Sequence, residues 1–285
     1  MTITYDRIRV KKFTAAGSAV AKRRGNVYSK GMKSPTNTSW QGVSGWYNKL
    51  VDNKGDYYHQ HVVIPRVLKL LNLKADSSLL DLACGQGVLE RHLSPKIIYQ
   101  GVDIAGSLIR AAQGRSKNSL HRFTVGDITK TLPINKKDFS HVCLILSMQN
   151  IERADLVIAN AKNYLKRGGK LVIVLNHPCF RIPRQSSWII DERNKLQSRK
   201  INLYMTPLKI PITIHPGQQN SALTWSFHQP ISYYSHILSG NSFLIEKIEE
   251  WVSDKESSGR FAKMENRGRE EFPLFLTIKA VYLHN

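Results

Sequence analysis

Short apolar runs bounded by turn residues recur through the middle of the chain. They lie near residues 78–82, 98–102, 121–125, 139–146 and 169–175, and their near-continuous apolar character predicts buried parallel strands. Between them, segments near 86–94, 106–114 and 151–166 carry helical spacing. In the last, Ala154, Ile158, Ala161 and Leu165 form one stripe, and Gly168-Gly169 predicts its stop. Strand alternating with helix predicts an α/β fold: a parallel sheet with right-handed crossovers and helices on both faces.

The flanks extend this pattern. Val62, Val63, Val67, Leu68, Leu70 and Leu71 predict a helix with Pro65 in or near its first turn. Beyond the fifth strand, residues 177–230 break the alternation. They hold six prolines (178, 183, 207, 211, 216 and 230), Arg181, Arg184, Trp188 and Tyr204. Thr224 to His228 alternates as a strand does. A segment this long predicts a lid over a ligand. Ser232–Ser239 reads as a helix, Phe243–Ile248 as a sixth strand and Phe272–Tyr282 as a long last one. Lys255 to Glu271 is so charged that a solvated loop is expected, with Glu265, Asn266 and Arg267 near a site.

Three strands end in acids. Leu79-Leu80-Asp81-Leu82-Ala83-Cys84-Gly85-Gln86-Gly87 reads as strand, glycine turn and helix start, where glycine permits positive φ or close backbone approach. Ile97–Asp103 ends in a second acid, placed to accept both hydroxyls of a ribose. Phe123–Ile128 brings a third, Asp127. A dinucleotide dehydrogenase also carries an acid after its second strand, but it wants Gly-x-Gly-x-x-Gly, and Glu90 stands where the third glycine belongs.

On Asp81–Gly87, Gly101–Ile104, Gly126–Ile128 and Leu165–Leu171, the chain resembles the class I S-adenosylmethionine-dependent methyltransferases, of the small-molecule, type 11-like kind. The likeness covers roughly residues 45–283. It implies a Rossmann-like, seven-stranded, mostly parallel sheet with an antiparallel last strand and a lid insertion after the fifth, with S-adenosyl-L-methionine as cofactor. It places Asp81, Ala83 and the Gly85/Gly87 turn against the methionine part, Asp103 with Ile104 at the ribose, and Asp127 with Ile128 at the adenine. Ser147, at the end of the fourth strand, joins the cofactor set, and Tyr47, Tyr57, Tyr58 and His59 become candidates for closing the site over the acceptor. The bland alternative for these aromatics is an ordinary hydrophobic cover.

Charge adds a second theme. The 42 Lys and Arg residues against 21 acids give a net charge of +21, a field that attracts nucleic acid, anionic membrane or acidic ligands. Residues 1–33 hold nine of the bases and one acid; without them 33 bases still face 20 acids. Residues 1–38 read as a basic flexible arm, either solubilising or able to touch RNA phosphates, with 39–285 as the methyltransferase domain. No apolar run reaches the roughly 18 residues of a membrane span, and no signal-peptide core opens the sequence. The three scattered cysteines, Cys84, Cys143 and Cys179, suit a reduced, cytoplasmic protein without a metal.

The acceptor side is less defined. Ser147-Met148-Gln149-Asn150 follows the fourth strand and lacks the Pro-Pro motif used for amino groups of nucleobases and glutamine. Asn176 and His177 stand at the end of the fifth strand, and Trp225 and His228 lie in the insertion. Methyl transfer needs alignment and exclusion of water, and a hydroxyl acceptor also needs a base. A neutral histidine suits that task near pH 7, so His177 and His228 are the candidates, each with a plain structural alternative. A hydroxyl, amine or carbon acceptor remains open, with an RNA- or ribosome-directed enzyme as the second reading.

Overall fold

β1 (Ser78–Leu82) is buried along its whole length because it lies mid-sheet, with β2 (Ile98–Asp103) on one side and β4 (Phe139–Ile145) on the other. In the computed structural model, residues 40, 45, 51, 55–213 and 223–283 are described. The basic arm of residues 1–38 and Tyr47 lie outside the described residues.

β3 (His121–Val125) extends the sheet beyond β2, and β5 (Leu165–Asn176) extends it beyond β4. All four of these pairings are parallel. β11 (Phe275–Tyr282) runs antiparallel between β5 and β10 (Phe243–Trp251), so the order is β10-β11-β5-β4-β1-β2-β3. The chain reverses its direction of growth between β1 and β4. Ligands in such sheets bind at this switch, outside the carboxyl ends of the strands.

Each face of the sheet has its own core. On one, α1 (Ile64–Leu71) and α2 (Gly106–Arg115) bring Val67, Leu70, Leu71, Ile109 and Ala112 against Leu79, Tyr99 and Val172. On the other, α3 (Ala154–Lys162) and α4 (Ile231–Ser239) bring Val157, Ile158, Ala161, Ile237 and Leu238 against Leu80, Leu144 and Ile173. Successive strand residues thus serve opposite cores, as the pleat requires.

The insertion is two hairpins. β6 (Ser186–Asp191) pairs with β7 (Leu196–Ile201), and β8 (Leu208–Thr213) pairs with β9 (Leu223–His228), both antiparallel. The first packs on α5 (Ala262–Glu271), where Gly268 faces the Gln197 and Trp188 side chains of the hairpin. The second packs over the turn at Met148–Asn150, beyond the end of β4.

Three expectations are corrected. Residues 86–94 do not form a helix; turns lead into a single 3-10 turn at Glu90–His92. Gly85 and Gly87 hold positive φ, and the Glu90 carboxylate is drawn inward to His121 Nδ1 (2.6 Å) and Ser116 Oγ (2.8 Å). The helix expected over 151–166 ends at Lys162, and Gly168 (φ +72°) lies in a bulge where β5 slips its register against β4. The expected solvated loop at 255–271 contains α5, whose inward side carries only Met264 and Gly268 and so shows no apolar stripe.

Candidate functional site

The glycine turn is shaped by three left-handed residues, Ala83 (φ +59°), Gly85 (+57°) and Gly87 (+76°). A β-carbon on Gly87 would lie 2.9 Å from the Phe123 ring, so space as well as φ demands glycine there. Ala83 adopts the same region with a β-carbon, which costs about 1–2 kcal/mol.

The turn is tied to the end of β2 by Asp103. Its Oδ2 accepts the Gly85 N–H at 2.9 Å and its Oδ1 the Ala105 N–H at 2.8 Å. Burial pushes this carboxyl up, against the pull of those two N–H donors. Each oxygen retains a second lone pair, so the carboxylate can still accept two hydroxyls. Ile104 and Val125, at the ends of β2 and β3, expose about half their surface (49% and 50%) and flank the acid with apolar area.

Asp81 has turned into the sheet. Tyr99 donates to its Oδ2 at 2.8 Å and the Cys143 thiol to its Oδ1 at 3.4 Å. Burial raises this carboxyl to about 7. Asp81 therefore props the strand below the turn. Asp127 is different: partial burial works upward, but Thr129 donates to Oδ1 from both N–H and hydroxyl, Lys130 stands 3.3 Å from Oδ2, and the carboxyl is held low. Ile128 is buried in the α3/α4 core beside Leu132, so only its backbone is left to meet a ligand.

The two candidate bases separate on geometry. His177 Nδ1 accepts the N–H groups of Cys179 and Phe180, both at 3.2 Å, which places the proton on Nε2, donated to Glu250 at 2.7 Å. Both nitrogens are thus committed, and the side chain is 1% exposed. Phe180 packs against it with tilted rings 4.7 Å apart and meets Phe272, which meets Trp188 of the first hairpin. His177 clamps the hairpin to the sheet. His228 instead places Nε2 2.7 Å from the Tyr204 carbonyl; a carbonyl only accepts, so Nδ1 carries the lone pair. Burial lowers its pKa, which keeps the ring neutral.

The aromatic segment divides likewise. Tyr58 is buried against Phe275 (5.9 Å) with its hydroxyl 3.1 Å from Ser253 Oγ, and His59 is buried beside Asp56, whose Oδ1 accepts the His59 backbone N–H. Both act as the hydrophobic cover. Tyr57 stays exposed, stacked on His61 at 4.4 Å under Lys255.

Polar groups collect where β4 and β5 end. Ser147 Oγ, Gln149 Oε1, Asn176 Oδ1, Thr224 Oγ1 and Trp225 Nε1 are buried with no hydrogen-bond partner among the described residues. Pairing runs to Ile145↔Val174, so Ser147 and Asn176 follow at the ends of neighbouring strands, and β9, which carries Thr224 and Trp225 on opposite faces, packs on the turn that holds Gln149. Gln149 and Thr224 escaped the sequence reading, because only the hairpin's docking buries them.

Residues 80–173 match the family described as a methyltransferase domain. Demethylmenaquinone methyltransferase of Staphylococcus carnosus is 26% identical over 149 residues, 50% of this chain and 61% of that protein. The Thermotoga maritima protein of the same name is 30% identical over 112 residues, 38% of this chain and 48% of its own. The chain thus spans no more than about three-fifths of either curated relative. Among solved structures, a Mesorhizobium loti S-adenosylmethionine-dependent methyltransferase aligns over 76% of this chain and 96% of its own, with a TM-score of 0.59 and 19% identity. A glycopeptide N-methyltransferase in complex with S-adenosylmethionine aligns over 78% of this chain and 87% of its own, with a TM-score of 0.52 and 16% identity. These two likenesses speak for the fold.

Proposed function

The chain carries a class I S-adenosylmethionine-dependent methyltransferase domain, and on that premise we propose that it transfers a methyl group from S-adenosylmethionine to a small-molecule acceptor held beneath the second hairpin. The observation that carries this reading is the pairing of two sites at one sheet edge: a glycine turn braced by Asp103, and a lid strand set over the end of β4. The donor set fits the cofactor. Asp103 would take the ribose hydroxyls, Ile104 and Val125 would border the base beside Asp127, and the Ala83–Gly87 turn would face the methionine portion.

When bound, S-adenosylmethionine supplies an electrophilic methyl group. The protein's tasks are then alignment and dehydration. Ser147 and Asn176 border the transfer position from the strand ends, and β9 covers it. His228 Nδ1 would take the proton of a hydroxyl or amine acceptor. His177 holds the first hairpin and has no lone pair to offer. The named activity of the curated relatives favours a quinone-related ring among small molecules, in the reduced, hydroxyl-bearing form that an electrophilic methyl group requires. An RNA acceptor rests on net charge and the basic arm alone.

The test follows a labelled methyl group from S-adenosylmethionine into a cell extract separated into organic-soluble, RNA and protein fractions. Label in the organic-soluble fraction is expected; label confined to RNA or protein overturns the small-molecule reading.

A further inference from the structure

We infer that Gln149 and Thr224 recognise the acceptor, and that the acceptor binds through a hydrogen-bond donor, an O–H or N–H group, directed at Gln149 Oε1. The inference rests on the methyltransferase reading and names the class of acceptor.

The orientation of the Gln149 amide is fixed chemically. Its Nε2 lies 2.7 Å from the Leu146 carbonyl oxygen, which can only accept, so nitrogen must face it. Leu146 sits in the left-handed region (φ +53°), which turns the chain out of β4 and into Ser147–Asn150. Oε1 is consequently presented away from that bond, in a residue that is 8% exposed, and meets no donor among the described residues. A buried amide oxygen left unmet costs about 1–3 kcal/mol, and the oxygen can only accept. A group that satisfies it must bring its own hydrogen. A ketone, ether or ester oxygen cannot.

Thr224 supplies the second half. It is 6% exposed on β9, its hydroxyl likewise lacks a partner, and its strand packs on the turn that carries Gln149. A hydroxyl can donate as well as accept, so it can complete the hydrogen bonding of the same acceptor group. Ile210 and Ile212, cross-strand neighbours of Ser226 and Thr224, share the Thr224 face of the hairpin and are buried together with Ile182. The fit is to a largely apolar molecule with one hydroxyl or amine at its reacting end.

The experiment measures binding of 1-naphthol and of 1-methoxynaphthalene, which share a ring but differ in the donor, to the full chain saturated with S-adenosylhomocysteine. Wild type is expected to hold 1-naphthol at least tenfold more tightly, and Gln149→Leu to lose that preference while keeping its affinity for S-adenosylhomocysteine. Thr224→Val gives a readout with the opposite sign for a structural role. Removing an unpartnered buried hydroxyl leaves thermal stability of the free protein unchanged or raised, whereas 1-naphthol affinity falls. Equal binding of the two probes by wild type, or an undiminished preference in Gln149→Leu, overturns the inference alone. Failure of the wild type to bind S-adenosylhomocysteine overturns the methyltransferase reading and this inference with it.

Discussion

The Tyr99 hydroxyl donates to Asp81 Oδ2 at 2.8 Å, joining β2 to β1 beneath the glycine turn. The carboxyl it meets is raised by burial from 3.8 to about 7. A raised carboxyl binds its proton more tightly in the folded chain, so its contribution is complete below about pH 4 and is lost as pH rises to about 7. Wild-type stability should therefore decline across that window by a few kcal/mol, at about 1.4 kcal/mol per unit of pKa difference. Asp81→Asn, which cannot ionise, should show a flatter profile. Parallel pH profiles of the two proteins in urea unfolding would remove Asp81 as the cause.

Ala83 holds φ +59°, a region that glycine occupies freely. Ala83→Gly relieves about 1–2 kcal/mol of strain and returns about 0.5–1 kcal/mol to the entropy of the unfolded chain. A small rise in melting temperature is expected in a thermal scan. Gly87→Ala does the reverse, since its methyl meets Phe123, and should lower both stability and affinity for S-adenosylmethionine. A melting temperature that falls in Ala83→Gly contradicts the account of the turn.

Glutamine separates the two histidines. His228→Gln can still donate to the Tyr204 carbonyl but has no base, so for a hydroxyl or amine acceptor kcat should fall at least tenfold. Burial lowers the His228 pKa, so the acid limb of the wild-type profile belongs below the ordinary 6.5 and should vanish in this variant. His177→Gln breaks the Cys179, Phe180 and Glu250 contacts, lowering stability by about 1–3 kcal/mol and raising KM more than it lowers kcat, with the limb in place. If the limb moves with His177 instead, the assignment is inverted.

Deleting residues 1–33 removes nine bases and one acid. Methyl transfer to the organic-soluble acceptor should persist, while salt-sensitive association with RNA weakens. Loss of transfer after the deletion would bring the arm into the acceptor reading.

The sheet was legible because its central strands are buried on both faces and therefore read as near-continuous apolar runs, as at Leu79–Leu82 and Leu171–Leu175. Local punctuation misled where distant contacts prevailed. Glu90 stands in a stretch of helical spacing, yet His121 and Ser116 draw it inward, and Gly168-Gly169 looks like a helix stop but serves a bulge. The glycine turn was readable in Gly85 and Gly87, since their positive φ is a local property, and Asp103 closes on it from the next strand end. The proposed acceptor side was not, because Gln149 and Thr224 lie 75 residues apart and their elements meet only when β9 docks on the turn after β4.

The placement of β11 between β5 and β10 has a consequence during synthesis. A ribosome has made β1 to β5, the glycine turn and both hairpins before residues 275–282 appear, yet among the described residues β5 pairs on that side with nothing else. Until then the nascent chain exposes a long apolar strand edge, Leu171 to Asn176, open to pairing with other chains. Its demand on chaperones should peak late in translation, and prematurely terminated products should aggregate despite carrying every residue of the proposed site.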